Sequence, residues 1–507
     1  MGTEVLSGLA DVLLIHGSND DHVCRYVLLR DRGECLTKEL RAPSQRGDNK
    51  QNLGIPINAL HADIVGRVTT PPPTAAPDEG EWMHTLAQRL FPITRSLTGD
   101  GVRQTLGTLA EYLPGLQIYE VPSGTQVLDW TVPDEWNIRG AFLEDPAGGR
   151  VIDFADSNVH VVSYSTPVDQ ILPLEELQGH LHSDEEIPEA IPYVTSYYSR
   201  NWGFCLTHEQ RQQLKPGSYR AVIDSTLAPG SLTYADLVIP GESADEVLIS
   251  TYVCHPSLAN NELSGPVVAT ALARWLLSLP FRKFTYRFVF APETIGAITY
   301  IDQNLDHLRS NVLGGINLTC IGDDGDWSYL ASRHGNHPLD RIAHRVVHTF
   351  SRPVEYSYLD RGSDERHYGM PGVGVPMISL MRTKYGAYPE YHTHLDDLTL
   401  VTPTGLQGGL DLVRECLVEL EASEYYVTTV LGEPQLGKRG LYHNMHARTV
   451  EDVVLLRTHV LAYADGSHSI ADLTELLDVP SDLVRELVDE LADHGLLAPG
   501  SPLKTPL

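Results

Sequence analysis

Four segments of this 507-residue chain gather side chains able to bind a metal or move a proton. The densest is TYVCHPSLANNELSG, residues 251–265, where β-forming residues deliver His255 at a strand end and Asn260, Asn261 and Glu262 precede Ser264-Gly265 and a helix start. A strand-end imidazole beside oxygen donors reads as a metal cradle, or equally as a loop histidine satisfied by hydrogen bonds. In FVFAPETIG, residues 288–296, a buried-type strand runs straight into Glu293. A carboxylate there serves as a half-desolvated general base, as a metal ligand, or as a helix N-terminal charge favoured by the dipole. INLTCIGDDGD, residues 316–326, ends a strand in Asp323, Asp324 and Asp326, either ligands or turn residues. Residues 360–398 pack Asp364, Glu365, His367, His392, His394, Asp396 and Asp397 among aromatics and glycines, a poor recipe for a core and a good one for a site.

These segments need a scaffold that presents strand ends. From Glu246 onward strand-like runs (EVLISTYVCHP, FTYRFVFAPE, NVLGGINLTCIG) alternate with helical ones (GPVVATALARWLLSL, TIGAITYIDQNL), which predicts an α/β fold with a mostly parallel sheet covered by helices. Ligands of such sheets gather at the carboxyl ends of the strands. Upstream, apolar spacing from Trp82 to Leu113 predicts two helices. Short β-like runs between turns then predict a β-rich insertion over 129–245. Residues 436–507 carry three helix-like stretches, a winged-helix pattern. The expected organisation is an N-terminal extension with a Pro-rich linker (1–78), a main unit from 79–128 and 246–435, the insertion, and the C-terminal domain.

Composition narrows the function. Lys and Arg number 37 against 67 Asp and Glu, a net charge of −30, so neither nucleic acid nor an anionic membrane is expected as a partner. The last helical stretch, SDLVRELVDELADH, has one Arg among several acids, the reverse of a phosphate-seeking surface. Six cysteines form no C-x-x-C pair, the pattern of a reducing compartment, and no apolar run approaches the roughly 18 residues of a membrane span. A cytoplasmic protein is expected.

Residues 246–430 resemble the zinc aminopeptidase fold of the co-catalytic metallopeptidases and, more distantly, glutaminyl cyclase. The resemblance rests on the order of His255, Asn261 before Ser264-Gly265, Glu293-Thr294-Ile295-Gly296, Asn317-Leu318-Thr319, Ser363-Asp364-Glu365, and Tyr391-His392-Thr393 with Asp396. Residues 82–500 look like bacterial aminopeptidase-like domain proteins with a β-rich insertion and a C-terminal winged helix. RSLTGDGVR, VPDEWNIRGA, IPYVTSYYSRNWGFC and CHPSLANNELSG are typical of them.

The resemblance implies metal ligands at His255 and His392 and a general base at Glu293. Two-zinc relatives place acids where this chain has Asn261, Thr294 and Thr319. Two dications about 3.5 Å apart need anionic ligands to offset their repulsion. One zinc ion is therefore expected, on His255, His392 and an oxygen from Asp324, with Asp323, Glu262 and Asn261 as alternatives. Asn261, Asp364, Glu365 and Tyr391 are expected on the substrate side, and Arg382 or Lys384 as a carboxylate partner. The implied function is hydrolysis of an amide or peptide bond in a small peptide or aminoacylated metabolite by a homo-oligomer. A binding module on the same fold and a glutaminyl-cyclase-like transferase are the alternatives. The enzyme reading requires His255 and His392 to lie within about 8 Å, given zinc–nitrogen bonds of about 2 Å.

Overall fold

The computed structural model describes residues 12–14, 23–30, 34–41, 79–442, 451–500 and 502, in two units that divide after Ile64. In the first unit the strands Val12–Leu14, Val23–Arg30 and Glu34–Arg41 pair antiparallel in chain order. The Pro-rich run read as a linker lies outside the described residues.

The second unit is built on an eight-stranded sheet. Strand Glu246–Tyr252 pairs in parallel with Thr285–Ala291 on one side and Val312–Leu318 on the other, and Val312–Leu318 pairs in parallel with Met377–Met381. Every residue of Glu246–Tyr252 and of Val312–Leu318 is buried, as expected of strands covered on both faces. Side chains alternate across the sheet. Val247 and Ile249 join a core with helices Glu79–Leu90, Asp100–Ala110, Ser264–Ser278, Pro338–Val347 and Pro403–Ala422, while Leu248 packs on the other face against helix Ile295–Asn311. Antiparallel strands complete the edges. Ser231–Ile239 lies between Thr285–Ala291 and Gln117–Pro122, and Trp327–Leu330 runs antiparallel to Met377–Met381.

Gly265 explains the Ser-Gly pair at the start of helix Ser264–Ser278. A Cβ there would lie 2.3 Å from Thr251 Oγ1 and 2.5 Å from the Leu318 carbonyl oxygen, so only glycine lets the helix approach two central strands this closely.

The insertion holds a four-stranded antiparallel sheet in the order Arg150–Asp153, Glu135–Glu144, Ser218–Ala228, Val168–Pro173. It ends earlier than the expected residue 245, because Ser231–Ile239 pairs into the central sheet. The C-terminal domain likewise begins before residue 436. Tyr425–Thr428 pairs with both Asp465–Ser469 and Leu497–Gly500, closing a three-stranded sheet on helices Glu451–Tyr463, Ile470–Leu477 and Ser481–Asp493. That strand has only four residues and follows a long helix, too short a run for periodicity to register. Arg341 and Arg345 on helix Pro338–Val347 dock this domain through Asp472, at 3.1 and 2.7 Å. Among the described residues no helix is long and apolar enough to cross a membrane.

Candidate functional site

The carboxyl end of strand Glu246–Tyr252 leads into Cys254 and His255, and the turn Ala259–Leu263 folds Glu262 back beneath them. The Glu262 carboxylate accepts the main-chain N–H of Cys254 (3.0 Å) and of His255 (2.9 Å) and also His255 Nδ1 (2.9 Å). Arg95, wholly buried, pairs with Glu262 at 2.9 Å and donates to the His255 and Pro256 carbonyls. With its Nδ1 proton engaged by Glu262, His255 is left with Nε2 as the lone-pair nitrogen, the arrangement that orients metal-binding histidines. Among the described residues, Cys254, His255 and Glu262 form one of two groups whose donor atoms lie close enough to share an ion. The Glu262 oxygens are already committed, so this buried group positions the imidazole.

His255 Nε2 lies 3.7 Å from Glu293 Oε2, and the His255 and His392 ring centroids are 5.9 Å apart. The two imidazoles, 137 positions apart in sequence, therefore meet well inside the 8 Å requirement. Burial, then the neighbouring His255, pushes His392 down to about 3, leaving it neutral at physiological pH. Tyr391 stacks on the His392 ring at 3.9 Å. Asp396 holds the His392 loop against the Ala259–Leu263 turn by accepting the main-chain N–H groups of Asn260 (2.6 Å) and Asn261 (2.9 Å), and burial raises it to about 6.

Glu293 lies two residues beyond strand Thr285–Ala291 on a strained turn: Thr294 has φ 65°, a left-handed conformation costly for a β-branched residue. The turn is held by Asp364, whose Oδ1 accepts the Thr294 N–H at 2.8 Å, and by Arg366, which donates to the Thr294 hydroxyl. Burial raises the pKa of both Glu293 and Asp364. The Glu293 charge raises Asp364 further, while His255 pulls Glu293 back. Two side-chain oxygens near these groups, Asn261 Oδ1 and Asp364 Oδ2, are buried with no hydrogen-bond partner. Asn261 Nδ2 donates to the Tyr252 hydroxyl at 2.6 Å, which fixes Oδ1 as the open acceptor. An acceptor buried without a donor costs about 1–3 kcal/mol. His392 in its neutral form offers a ring-nitrogen lone pair, and Asn261 Oδ1 is an open oxygen acceptor, donor types that a divalent cation takes as ligands.

Several residues expected at the site have other work. Asp324 is exposed and accepts from the Thr402 hydroxyl at 2.8 Å, because the turn after Ile321 aims it outward. Asp323 points inward but is occupied by Asn260, Thr383 and Gly325. Glu365 is fully buried, one oxygen taken by Gly362, Ser363 and Tyr385 and the other by Asn317 and Ser379, so it braces the 362–365 turn and offers nothing to a substrate. Arg382 lies over Trp327, 3.8 Å from the ring centroid, and bonds the Asp326 carbonyl, while Lys384 lies over Tyr385. His394 accepts the Ile191 N–H.

The insertion supplies a residue that spacing did not reveal. Tyr193 lies 5.1 Å from the His255 ring and 5.3 Å from the His392 ring, and its hydroxyl pairs with that of Tyr197. Its signal was the aromatic-rich run IPYVTSYYSRNWGFC, which carried no assignment to either imidazole. Arg95, in RSLTGDGVR, was equally silent.

Comparisons with known proteins agree with this architecture. Residues 84–423 match a family described as a domain of unknown function, DUF4910, and residues 424–499 match a winged helix-turn-helix family. A curated Clostridium acetobutylicum protein, assigned by name to polysaccharide biosynthesis with an aminopeptidase-like domain, is 41% identical over 401 residues, covering 78% of this chain and 91% of that protein. A crystal structure of a Clostridium acetobutylicum protein assigned as a peptidase is 38% identical, with a TM-score of 0.70, covering 87% of this chain and 99% of the other. The zinc aminopeptidase BSAP of Bacillus subtilis shares the fold at 12% identity and a TM-score of 0.51, over 68% of this chain and 95% of its own.

Proposed function

The chain belongs to the DUF4910 family, on an aminopeptidase-like fold with a C-terminal winged helix, and from that premise we propose that it is a single-zinc hydrolase of amide or peptide bonds in small peptides or aminoacylated metabolites. The observation that carries this reading is the convergence of His255 and His392 at 5.9 Å with the Glu293 carboxylate 3.7 Å from His255 Nε2.

We assign His255 Nε2, the His392 imidazole and Asn261 Oδ1 to the ion. This replaces the oxygen expected from Asp324. A zinc ion bound there supplies Lewis-acid polarisation of the scissile carbonyl and an acidified water. Glu293 takes the proton of the attacking water and returns it to the leaving nitrogen. A carboxylate raised by burial is suited to both transfers. Asp364 Oδ2 is the acceptor we assign to a free α-amino group of the substrate, and Tyr391, against His392, lines the same side. The name of the Clostridium acetobutylicum relative supports adding amide-bearing sugars of polysaccharide synthesis to the substrate panel.

Elemental analysis and a Glu293→Gln variant test the proposal together. One zinc per chain that depends on His392 is expected, with the Glu293→Gln variant keeping it and losing hydrolysis of an aminoacyl amide panel. A chain whose zinc content is unchanged by His392→Ala, or a Glu293→Gln variant with undiminished hydrolysis, overturns it.

A further inference from the structure

A second cluster of metal-ligating side chains lies on the opposite type of surface, exposed and separate from the buried imidazole pair. His344 occupies the last turn of helix Pro338–Val347, His348 is its C-cap, and the chain then reverses into the edge strand Pro353–Tyr356, which carries Glu355. The four-residue interval places both rings on one helix face, with centroids 4.9 Å apart. His344 Nδ1 lies 2.6 Å and His348 Nε2 2.8 Å from the same oxygen, Glu355 Oε1.

We propose that His344, His348 and Glu355 form a surface site for a borderline divalent cation such as zinc, nickel or copper(II). Three donor atoms, one from each residue, lie within 4.8 Å of one another before any ion is added. A short local segment, H-x3-H-x6-E, supplies all three, so little chain entropy is lost in assembling them. Two imidazoles and one carboxylate select borderline transition metals over calcium or magnesium, which prefer all-oxygen shells. Side chains 47, 50 and 39% exposed leave further coordination positions to water. The C-terminal end of the helix dipole also favours a cation at this point. A bound ion ties this helix to the sheet edge, and Arg341 and Arg345 of the same helix hold the winged-helix domain through Asp472.

The site stands independently of the hydrolytic reading, and its test separates the two. The full chain is stripped with a chelator, exchanged into metal-free buffer at neutral pH and titrated with zinc by calorimetry, alongside His344→Ala/His348→Ala, Glu355→Gln and His392→Ala variants. The double variant is expected to bind one equivalent fewer than the unaltered chain, Glu355→Gln to bind that equivalent more weakly, and His392→Ala to retain it. Copper(II) added to His392→Ala is expected to show nitrogen coupling in its EPR spectrum that vanishes when the two surface imidazoles are also removed. Because these side chains are exposed, unchanged circular dichroism is expected for the double variant. Equal zinc stoichiometry in the double variant and the unaltered chain, or a copper spectrum insensitive to the two substitutions, overturns the proposal.

Discussion

The main-chain N–H of Tyr193 donates to the main-chain carbonyl of His392 over 2.7 Å, and the Tyr193 ring rests against both His392 and His255. Pro192 and Thr393 bridge beside this bond, and the His394 N–H donates to the Ile191 carbonyl. The insertion is thus stitched antiparallel to the segment that bears one imidazole.

Removing the Tyr193 ring should loosen the imidazole pair. Tyr193→Ala is expected to lower stability by about 3–5 kcal/mol, as large aromatic truncations in cores do, and to cut zinc occupancy. Tyr193→Phe keeps the ring and should keep the metal, losing only the hydroxyl pair with Tyr197. Urea unfolding and elemental analysis of the two variants check this.

Arg95 and Glu262 form an ion pair with neither side chain exposed. Glu262→Gln leaves the guanidinium buried without its charge partner, for which a loss of about 3–5 kcal/mol is expected. The same change removes the carboxylate that orients His255 Nδ1, so zinc affinity should fall by about 10–100-fold. Denaturant midpoints and competition with a chromophoric chelator measure the two effects.

Burial raises the pKa of Glu293, so its basic form is lost at a higher pH than for an ordinary carboxylate. The acid limb of kcat/KM should lie above the usual glutamate range near 4.3. Glu293→Gln should lower kcat by at least about 100-fold across the whole profile. A pH–rate series on the metal-loaded chain tests both statements.

His367 is pushed down to about 4, by burial first and by Arg366 second. Its folded pKa is depressed below the unfolded value near 6.5, so the unfolded chain binds the extra proton between those values. The stability this confers is present above about pH 6.5 and is lost as pH falls toward 4, at up to about 1.4 kcal/mol per unit. His367→Gln can still accept from Arg366 Nε and does not titrate. Relative to the unaltered chain the variant should gain about 1–2 kcal/mol between pH 7 and pH 5, measured by urea unfolding at each pH.

By itself the sequence determined the alternating α/β core, the winged-helix end, and the strand-end positions of His255 and Glu293. Each of these follows from local periodicity and from residues adjacent in the chain. Tertiary structure decided which acids serve the site. The turn after Ile321 points Asp324 to Thr402 and Asp323 to Asn260, and backbone donors occupy Glu365, whereas Asn261 Oδ1 and Asp364 Oδ2 stay open. It also decided that Tyr193 and Arg95, from distant segments, frame the imidazoles. A carboxylate's role depends on which donors reach it first, and those donors come from chain segments brought together only when the sheet, the insertion and the His392 loop pack.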